Sequence, residues 1–277
     1  MVEATKKGVR FEPVNSAHAI TETVFAFEFS SPFAPESVDR LLELETQADI
    51  NEELPAFKRI QTEGFLLKAD AQGIEFQERV QKGTVGILLQ RMRPDGTPEW
   101  GVQASEDSII LHCLEYSTWS EVWARVQLYF QAILAKIIPS DIVLNAITLK
   151  YVDQFVFQGD YSTEYNPLLL FNEKTKFIHP SALRESGSRW HCHTGWFAPY
   201  KDAFECLNQL NIDTAILQNG NHRTKIEHNQ MIRNVNININ ELLGSASLDN
   251  YMSYMHKENK NIVRDLLNPQ MAKRISL

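Results

Sequence analysis

The sequence lacks the short motifs that mark the common enzyme classes. It has no Gly-x-x-x-x-Gly-Lys-Ser/Thr phosphate loop, no Gly-x-Gly-x-x-Gly turn after a strand, no His-Glu-x-x-His pair, no Gly-x-Ser-x-Gly elbow and no Cys-x-x-Cys. These absences remove the usual interpretations as an NTPase, a dinucleotide-dependent enzyme, a zinc protease, a serine hydrolase or a thioredoxin-like protein. Because no other catalytic constellation stands out, the sequence favours a binding protein over an enzyme and indicates no cofactor.

Positive charge, cysteine and long apolar runs are also scarce. Lys and Arg number 27 against 35 Asp and Glu, a net charge of −8 at pH 7, which disfavours broad nucleic-acid binding because that mode depends on clustered cations. The three cysteines are an odd set, and the first residues are charged and lack the apolar stretch of a signal peptide. We therefore expect a reduced, cytoplasmic setting. The apolar runs are too short or too interrupted to cross a bilayer, so no membrane insertion is expected.

What the sequence does contain is an alternation of β-rich runs and amphipathic helices. With 277 residues and 43% hydrophobic content, the chain can bury a substantial core. The fold class that we predict is α+β, with two similar halves that each consist of a curved antiparallel sheet packed on a long amphipathic helix. The N-terminal half covers residues 1–140, and the C-terminal half covers residues 141–277 with an irregular excursion over residues 158–189. Such an excursion is either a partner-binding segment or a passive insertion.

Two helices carry the evidence for this repeat. The first begins after Thr118, which forms a capping-box pair with Glu121, and ends before Pro139. The apolar residues of the second helix follow those of the first at a constant offset, with Asn259 where the first helix has Phe130. Any amphipathic helix gives similar spacing, so the duplication stays a hypothesis.

The stretch RWHCHTGWF, residues 189–197, is the part of the chain that most suggests chemistry. Side chains alternate along a strand, so His191, His193 and Phe197 share one face while Cys192 points to the other. A metal site that combines the cysteine with both histidines is therefore excluded if this segment is a regular strand. We predict that the face with His191, His193 and Phe197 is a binding surface.

A metal site is the alternative for the same stretch. His-x-His is a legitimate ligand pair for zinc or iron, but a catalytic site needs at least a third protein ligand. His222, Glu227 and His228 lie on a later strand that could pair nearby. We take His191, His193 and His228 as the ligand set of this alternative, which would make the protein a metal-dependent hydrolase or nuclease.

A second candidate region is the β-rich run IVLNAITLKYVDQFVF, residues 142–157. Lys150 and Asp153 flank Tyr151 in this otherwise apolar segment. Asp153 is either a buried carboxylate with a perturbed pKa or part of a solvated edge.

The order of these segments resembles a sporadically distributed family of uncharacterised bacterial and archaeal proteins of about this length. In that family a Tyr-x-x-Trp helix leads into a strand similar to Leu-Arg-Tyr-x-Asn. Here the helix positions are Tyr116 and Trp119, and the strand reads LKYVD over residues 149–153. Lys150 and Asp153 replace the arginine and the asparagine of the family. An ammonium group thus stands in place of a planar guanidinium group, and a carboxylate stands in place of a neutral amide.

The resemblance implies no catalytic residues. It implies a patchy distribution of the kind seen for defence or toxin-antitoxin loci, and therefore a protein-interaction or sensor component whose partner is another protein or a second copy of the chain. Lys150 and Asp153 join His191, His193 and Phe197 as candidate binding residues, and the excursion adds to the expected contact surface. A small-ligand pocket between helix and sheet is a third possibility.

Overall fold

The computed structural model describes residues 8–62, 66–70, 73–77, 83–138, 140–185, 187–200, 204–217, 220–243 and 247–277. For residues 66–70, 73–77 and 247 it describes the backbone alone. Within these ranges, no helix is both long enough and apolar enough to span a membrane.

Strands make up most of the regular structure in these ranges. The strands are β1 (Arg10–Pro13), β2 (Ile20–Phe29), β3 (Ala56–Thr62), β4 (Leu66–Asp70), β5 (Gly73–Gln77), β6 (Gly83–Met92), β7 (Pro98–Ser105), β8 (Ser108–Cys113), β9 (Val143–Gln158), β10 (Trp190–Tyr200), β11 (Phe204–Ile216) and β12 (His222–Asn238). The helices are α1 (Pro35–Leu41), α2 (Ala48–Glu53), α3 (Trp119–Ile137), α4 (Pro180–Arg184), α5 (Ser247–Leu266) and α6 (Pro269–Arg274), with 3-10 turns at Leu42–Glu45, Pro167–Leu169 and Ile239–Glu241.

Ten of these strands form one antiparallel sheet. Its order is β10-β11-β12-β9-β2-β8-β7-β6-β3, and β1 pairs with β9 beside this path. Strands β4 and β5 form a separate two-stranded sheet. The two ends of the large sheet are therefore β10 and β3.

The predicted fold class is wrong. We expected two separate curved sheets, each packed on a long amphipathic helix. Instead, ten strands join in one sheet. The longest described helices, α3 and α5, have 19 and 20 residues. The physical reason lies in the central strands. β9 and β12, with 16 and 17 residues, are about three times as long as an average strand, and neighbouring strands attach to both sides of them. Side-chain alternation reveals which residues share a face, but it does not reveal which strands become neighbours.

By the density of its internal contacts, the chain divides into two compact units. The first comprises the described residues of Met1–Val24, Ile147–Asn234 and Ala246–Leu277, and the second those of Phe25–Ala146 and Val235–Ser245. The boundary that we predicted between residues 140 and 141 concerns a repeat in the sequence, which this division does not test.

In the second unit, α3 begins where the sequence indicates. The Thr118 hydroxyl accepts a hydrogen bond from the backbone N–H of Glu121 at 3.4 Å, which satisfies one of the otherwise unpaired amides of the first turn. The apolar stripe of the helix is buried, and the ring of Phe130 lies 4.2 Å, centroid to centroid, from that of Phe27 on β2. This packing forms the core of the unit.

In the first unit, the excursion between β9 and β10 belongs to the core. Leu170, Phe171, Ile178 and Leu183 are buried in the same cluster as residues of β9, β10 and α5. The ring of Phe171 lies 5.6 Å from that of Trp190, centroid to centroid. The excursion therefore acts as a packed cover over one face of β10.

Candidate functional site

The stretch that sequence analysis singled out forms β10, the strand at one end of the large sheet. It pairs with β11 antiparallel over eleven consecutive positions, from Trp190 opposite Thr214 to Tyr200 opposite Phe204, and the register does not shift. This unbroken pairing makes β10 a long and regular edge strand.

The two faces of β10 differ in the way that alternation predicts. His191, His193 and Phe197 are exposed on the outer face, and Phe197 keeps 65% of its surface accessible. On the inner face the excursion covers Cys192, whose thiol lies 3.7 Å from the Phe177 carbonyl oxygen. Burial raises the pKa of this thiol, so Cys192 is a poor nucleophile.

The pairing with β11 also determines which backbone N–H and C=O groups of β10 face the open edge. The N–H of Trp190 donates to Oγ1 of Thr214 on β11 at 2.9 Å, so it points toward β11. Successive residues of a strand direct their N–H and C=O groups to opposite sides, so every second residue from position 191 onward directs these groups to the open edge. These residues are His191, His193, Gly195 and Phe197. Pro199 falls in the same series, as expected for proline on an edge, because it has no N–H to leave unpaired.

The open edge is not covered by backbone from elsewhere in the described ranges. Among the residues that the structure describes, no main-chain group outside the ladder with β11 forms a hydrogen bond to the backbone of β10. The Tyr254 hydroxyl donates to the Pro199 carbonyl at 3.3 Å, so the last edge-facing carbonyl is capped by a side chain. With respect to the described part of the chain, the four edge-facing residues before it present unpaired donors and acceptors.

The opposite end of the sheet has the features that usually protect an edge. β3 carries two cationic residues, Lys58 and Arg59, both exposed. Its pairing with β6 shifts register between Ile60 and Gln61, and such a bulge twists an edge away from further pairing. β10 has neither feature, since no Asp, Glu, Lys or Arg occurs between Trp190 and Tyr200. The two edges of one sheet thus differ in their readiness to pair.

The metal alternative does not gain a ligand set from the fold. The rings of His191 and His193 lie 5.3 Å apart, centroid to centroid, and Nε2 of His193 lies 3.3 Å from Oδ1 of Asp213. His228 is buried and stacks on Trp196, an inner-face residue, so the structure does not bring it to the two outer histidines. Among the described side chains, no group of three His, Cys, Asp or Glu could hold a metal ion.

His228 instead belongs to a buried polar layer between the sheet and α5. Its Nδ1 lies 2.9 Å from Oδ1 of Asn259, and its Nε2 lies 3.1 Å from Oδ1 of Asn208. Asn208 donates its own Nδ2 to the Cys206 carbonyl at 3.0 Å, which holds its oxygen toward the imidazole. Burial lowers the pKa of His228 to about 4, so the ring is neutral and has one N–H to donate to these two amide oxygens.

Lys150 and Asp153, the other predicted binding residues, point to different faces of β9. Lys150 is partly exposed, and its Nζ lies 3.5 Å from Oε1 of Glu227. Asp153 is only 4% exposed, and burial raises the pKa of its carboxyl to about 7. The described side chains offer it neither a cation nor a hydrogen bond. The structure therefore does not combine Lys150 and Asp153 into one site.

Tyr151 lies between these two residues, on the inner face. Its hydroxyl lies 2.8 Å from Nδ1 of His256 on α5. Burial, followed by the charge of Lys260, lowers the pKa of His256 to about 4. A neutral imidazole that pairs with a buried phenol fixes the position of the helix on the sheet.

The sequence held a signal for this polar layer that motif searches do not detect. The buried residues of β12 alternate with partly exposed ones, and they include four polar residues, His222, Thr224, His228 and Gln230. The same alternation of residue types is present in the sequence and indicates a strand with a polar inner face. Asn259, which interrupts the apolar stripe of α5, is the partner that this face requires.

The described concavities give little support to a small-ligand pocket. One, of about 180 Å³, lies beside the start of α3 and is lined by Trp100, Glu121 and Arg125 among others. Another, of about 290 Å³, lies between Phe33 and Val85. The first falls below the roughly 300–1,000 Å³ that ligand pockets usually have, and the second lies at the lower end of that range.

No model of a protein family, no curated protein and no solved structure matches the chain.

Proposed function

We propose that this chain is a protein-binding protein that pairs β10 with an extended segment of another polypeptide. The observation that carries the proposal is the difference between the two edges of the sheet. β3 is guarded by Lys58, Arg59 and a register shift, whereas β10 offers an uncharged, regular ladder of unpaired backbone groups. Strand addition to such an edge is a recurring mode of peptide recognition.

The rigidity of β10 supports this role. Its inner face is held by the packed excursion, and Nε1 of Trp190 donates to the Tyr165 hydroxyl at 3.1 Å. A partner strand would meet an ordered template, so little conformational entropy would be lost on the receptor side. Affinity would come from the main-chain hydrogen bonds, and His191, His193 and Phe197 would select side chains on the outer face.

A display library of random extended peptides, selected on the immobilised protein, tests the proposal. His193→Pro removes one edge-facing N–H and places a ring in the path of a partner strand, while the matched control His193→Ala keeps the N–H. We expect selected peptides to bind His193→Pro about tenfold more weakly than His193→Ala, since both variants lose the imidazole but only the proline loses a hydrogen bond of ~1 kcal/mol and adds a clash.

Two outcomes would contradict the proposal. Either no peptide is enriched, or the enriched peptides bind His193→Pro as tightly as the wild type. Amide chemical-shift changes at residues 191, 193, 195 and 197 on addition of a selected peptide would locate the contact on the predicted side of the strand.

The role at a defence or toxin-antitoxin locus stays a prediction from the family resemblance. At such a locus, we propose that the chain acts as a protein-interaction component that binds its partner through the β10 edge. The geometry of the described side chains does not favour the metal-dependent hydrolase or nuclease as a second candidate.

A further inference from the structure

We infer that the strand that pairs with β10 is β10 of a second copy of the chain, related by a two-fold axis through Thr194. This inference rests on the proposed function, because it uses the same open edge, and it names the partner.

The unpaired backbone groups of β10 are symmetric about Thr194. His191 and His193 precede it by three residues and one residue, and Gly195 and Phe197 follow it at the same distances. An antiparallel pairing centred on Thr194 places His191 opposite Phe197 of the second copy, and His193 opposite Gly195. Each of these pairs exchanges two hydrogen bonds, so about eight bonds form and every edge-facing N–H and C=O of the four residues is used.

The same register suits the side chains on the outer face. The imidazole of His193 lies opposite a glycine, which leaves room for it, and the imidazole of His191 lies opposite the exposed ring of Phe197. Cross-strand pairs that combine an aromatic ring with another flat side chain stabilise a sheet. Pro199, which lacks an N–H, falls outside the four bonded pairs.

An antiparallel strand that pairs with its own copy brings the charges near the centre of the pairing close to the same charges of the other copy, and Lys58 and Arg59 lie at the centre of β3. β10 carries no Asp, Glu, Lys or Arg along its length, so self-pairing creates no like-charge contact, whereas β3 would bring Lys58 and Arg59 against their copies. A two-fold pairing is also closed, because each copy uses its β10 edge in the pair, and further growth of the sheet from that edge stops. A long uncharged edge is thus made safe against aggregation.

Light scattering after size-exclusion chromatography, and sedimentation velocity over a wide concentration range, measure the oligomeric state. We expect a dimer for the wild type, and a dimer Kd at least tenfold higher for His193→Pro than for His193→Ala, because both variants lose the imidazole but only the proline removes an edge-facing N–H from each copy. Circular dichroism and thermal unfolding of His193→Pro must match those of His193→Ala for this comparison to count.

A charge exchange tests the register without altering the backbone. His191→Glu and Phe197→Lys each remove the His–Phe pair, while the double variant places the new carboxylate at position 191 of one copy beside the new ammonium group at position 197 of the other, twice per dimer. We expect the dimer Kd of the double variant to be about tenfold lower than that of either single variant, because opposite charges on facing residues attract.

The inference and the proposed function fail separately. A wild type that is monomeric at every concentration, but that still binds selected peptides through β10, overturns the self-pairing and leaves the strand-binding function intact. A dimer that is indifferent to His193→Pro and to the charge exchange overturns the inference as well, since its interface then lies elsewhere. A monomer that also binds no peptide overturns both.

Discussion

Asp153 is the residue at which burial most changes the chemistry of a side chain. The sequence left open whether it is a buried carboxylate or part of a solvated edge, and the structure buries it on β9 with no compensating partner among the described side chains. Taking a carboxylate out of water disfavours its charged form. Ionisation of Asp153 therefore destabilises the folded state, and its role as a binding residue stays a prediction.

Replacing Asp153 by Asn should remove a pH dependence of stability. The pKa of this carboxyl rises from its ordinary value of 3.8 to about 7, so between these values the folded state binds more protons than the unfolded state. The contribution of Asp153 to the free energy of unfolding is then most favourable below about pH 4, falls as the pH rises toward 7 and levels off above it, by at most ~4 kcal/mol. Urea unfolding of Asp153→Asn across this range should show a flatter profile than the wild type.

The exposed Asp141 provides the control for this measurement. Asp141→Asn should keep the slope of the wild type between pH 4 and 7. If Asp153→Asn kept that slope as well, the buried carboxylate would not be its origin.

Loss of the contact between His228 and Asn259 should destabilise the folded state. Asn259→Leu removes the side chain whose Oδ1 lies 2.9 Å from Nδ1 of a neutral imidazole that is 1% exposed, and a buried polar group that loses its hydrogen-bond partner costs about 1–3 kcal/mol. Asn261→Leu, on the exposed side of the same helix, should change the free energy of unfolding by less than about 0.5 kcal/mol. Equal effects of the two substitutions would show that the hydrogen bond does not stabilise the helix on the sheet.

At the scale of elements, the contrast between β3 and β10 is the reason that the proposed function uses the β10 edge. Both strands end the same sheet, yet only β3 carries cations and a register shift. Charged residues on an edge prevent unwanted pairing because a second strand would have to desolvate them. The function proposed for β10 thus requires that the charges of β3 prevent strand pairing at the other end of the sheet.

Removal of the cations from β3 should therefore create a second open edge. We expect the variant Lys58→Thr with Arg59→Thr to scatter more light on storage and to form species larger than the wild type. The variant Lys257→Thr with Lys273→Thr removes the same charge from exposed helix positions and should behave as the wild type. Aggregation of both variants to the same extent would assign the effect to net charge alone.

At the scale of the whole molecule, charge opposes the association that the edge favours. Each copy carries a net charge of −8, whereas β10 itself is uncharged. Two copies therefore repel at long range while their edge strands are complementary at short range. Salt screens the repulsion, with a Debye length of roughly 10 Å at 0.1 M, and leaves main-chain hydrogen bonds almost unchanged.

We accordingly expect the dimer Kd to fall as the salt concentration rises from low to physiological values. Sedimentation velocity at several NaCl concentrations measures this directly. A Kd that rises with salt would point to an interface held by ion pairs, and so to a surface other than β10.

Local patterns in the sequence predicted what depends on neighbouring residues. Alternation along residues 190–200 correctly separated the His191, His193 and Phe197 face from the side of Cys192, and the Thr118 and Glu121 pair correctly located the start of α3. These features follow from strand and helix periodicity, which a few adjacent residues determine. The family resemblance, by contrast, stays a prediction.

Only the tertiary structure decided which strands became neighbours. It joined the expected two sheets into one, turned His228 away from the outer histidines, buried Asp153 without a partner among the described side chains and left β10 at an open edge. Each of these outcomes depends on pairing between segments that are far apart in the chain. Because the backbone hydrogen-bonding groups of all strands are chemically alike, the letters of one strand do not specify its neighbour, and packing of the whole sheet makes that choice.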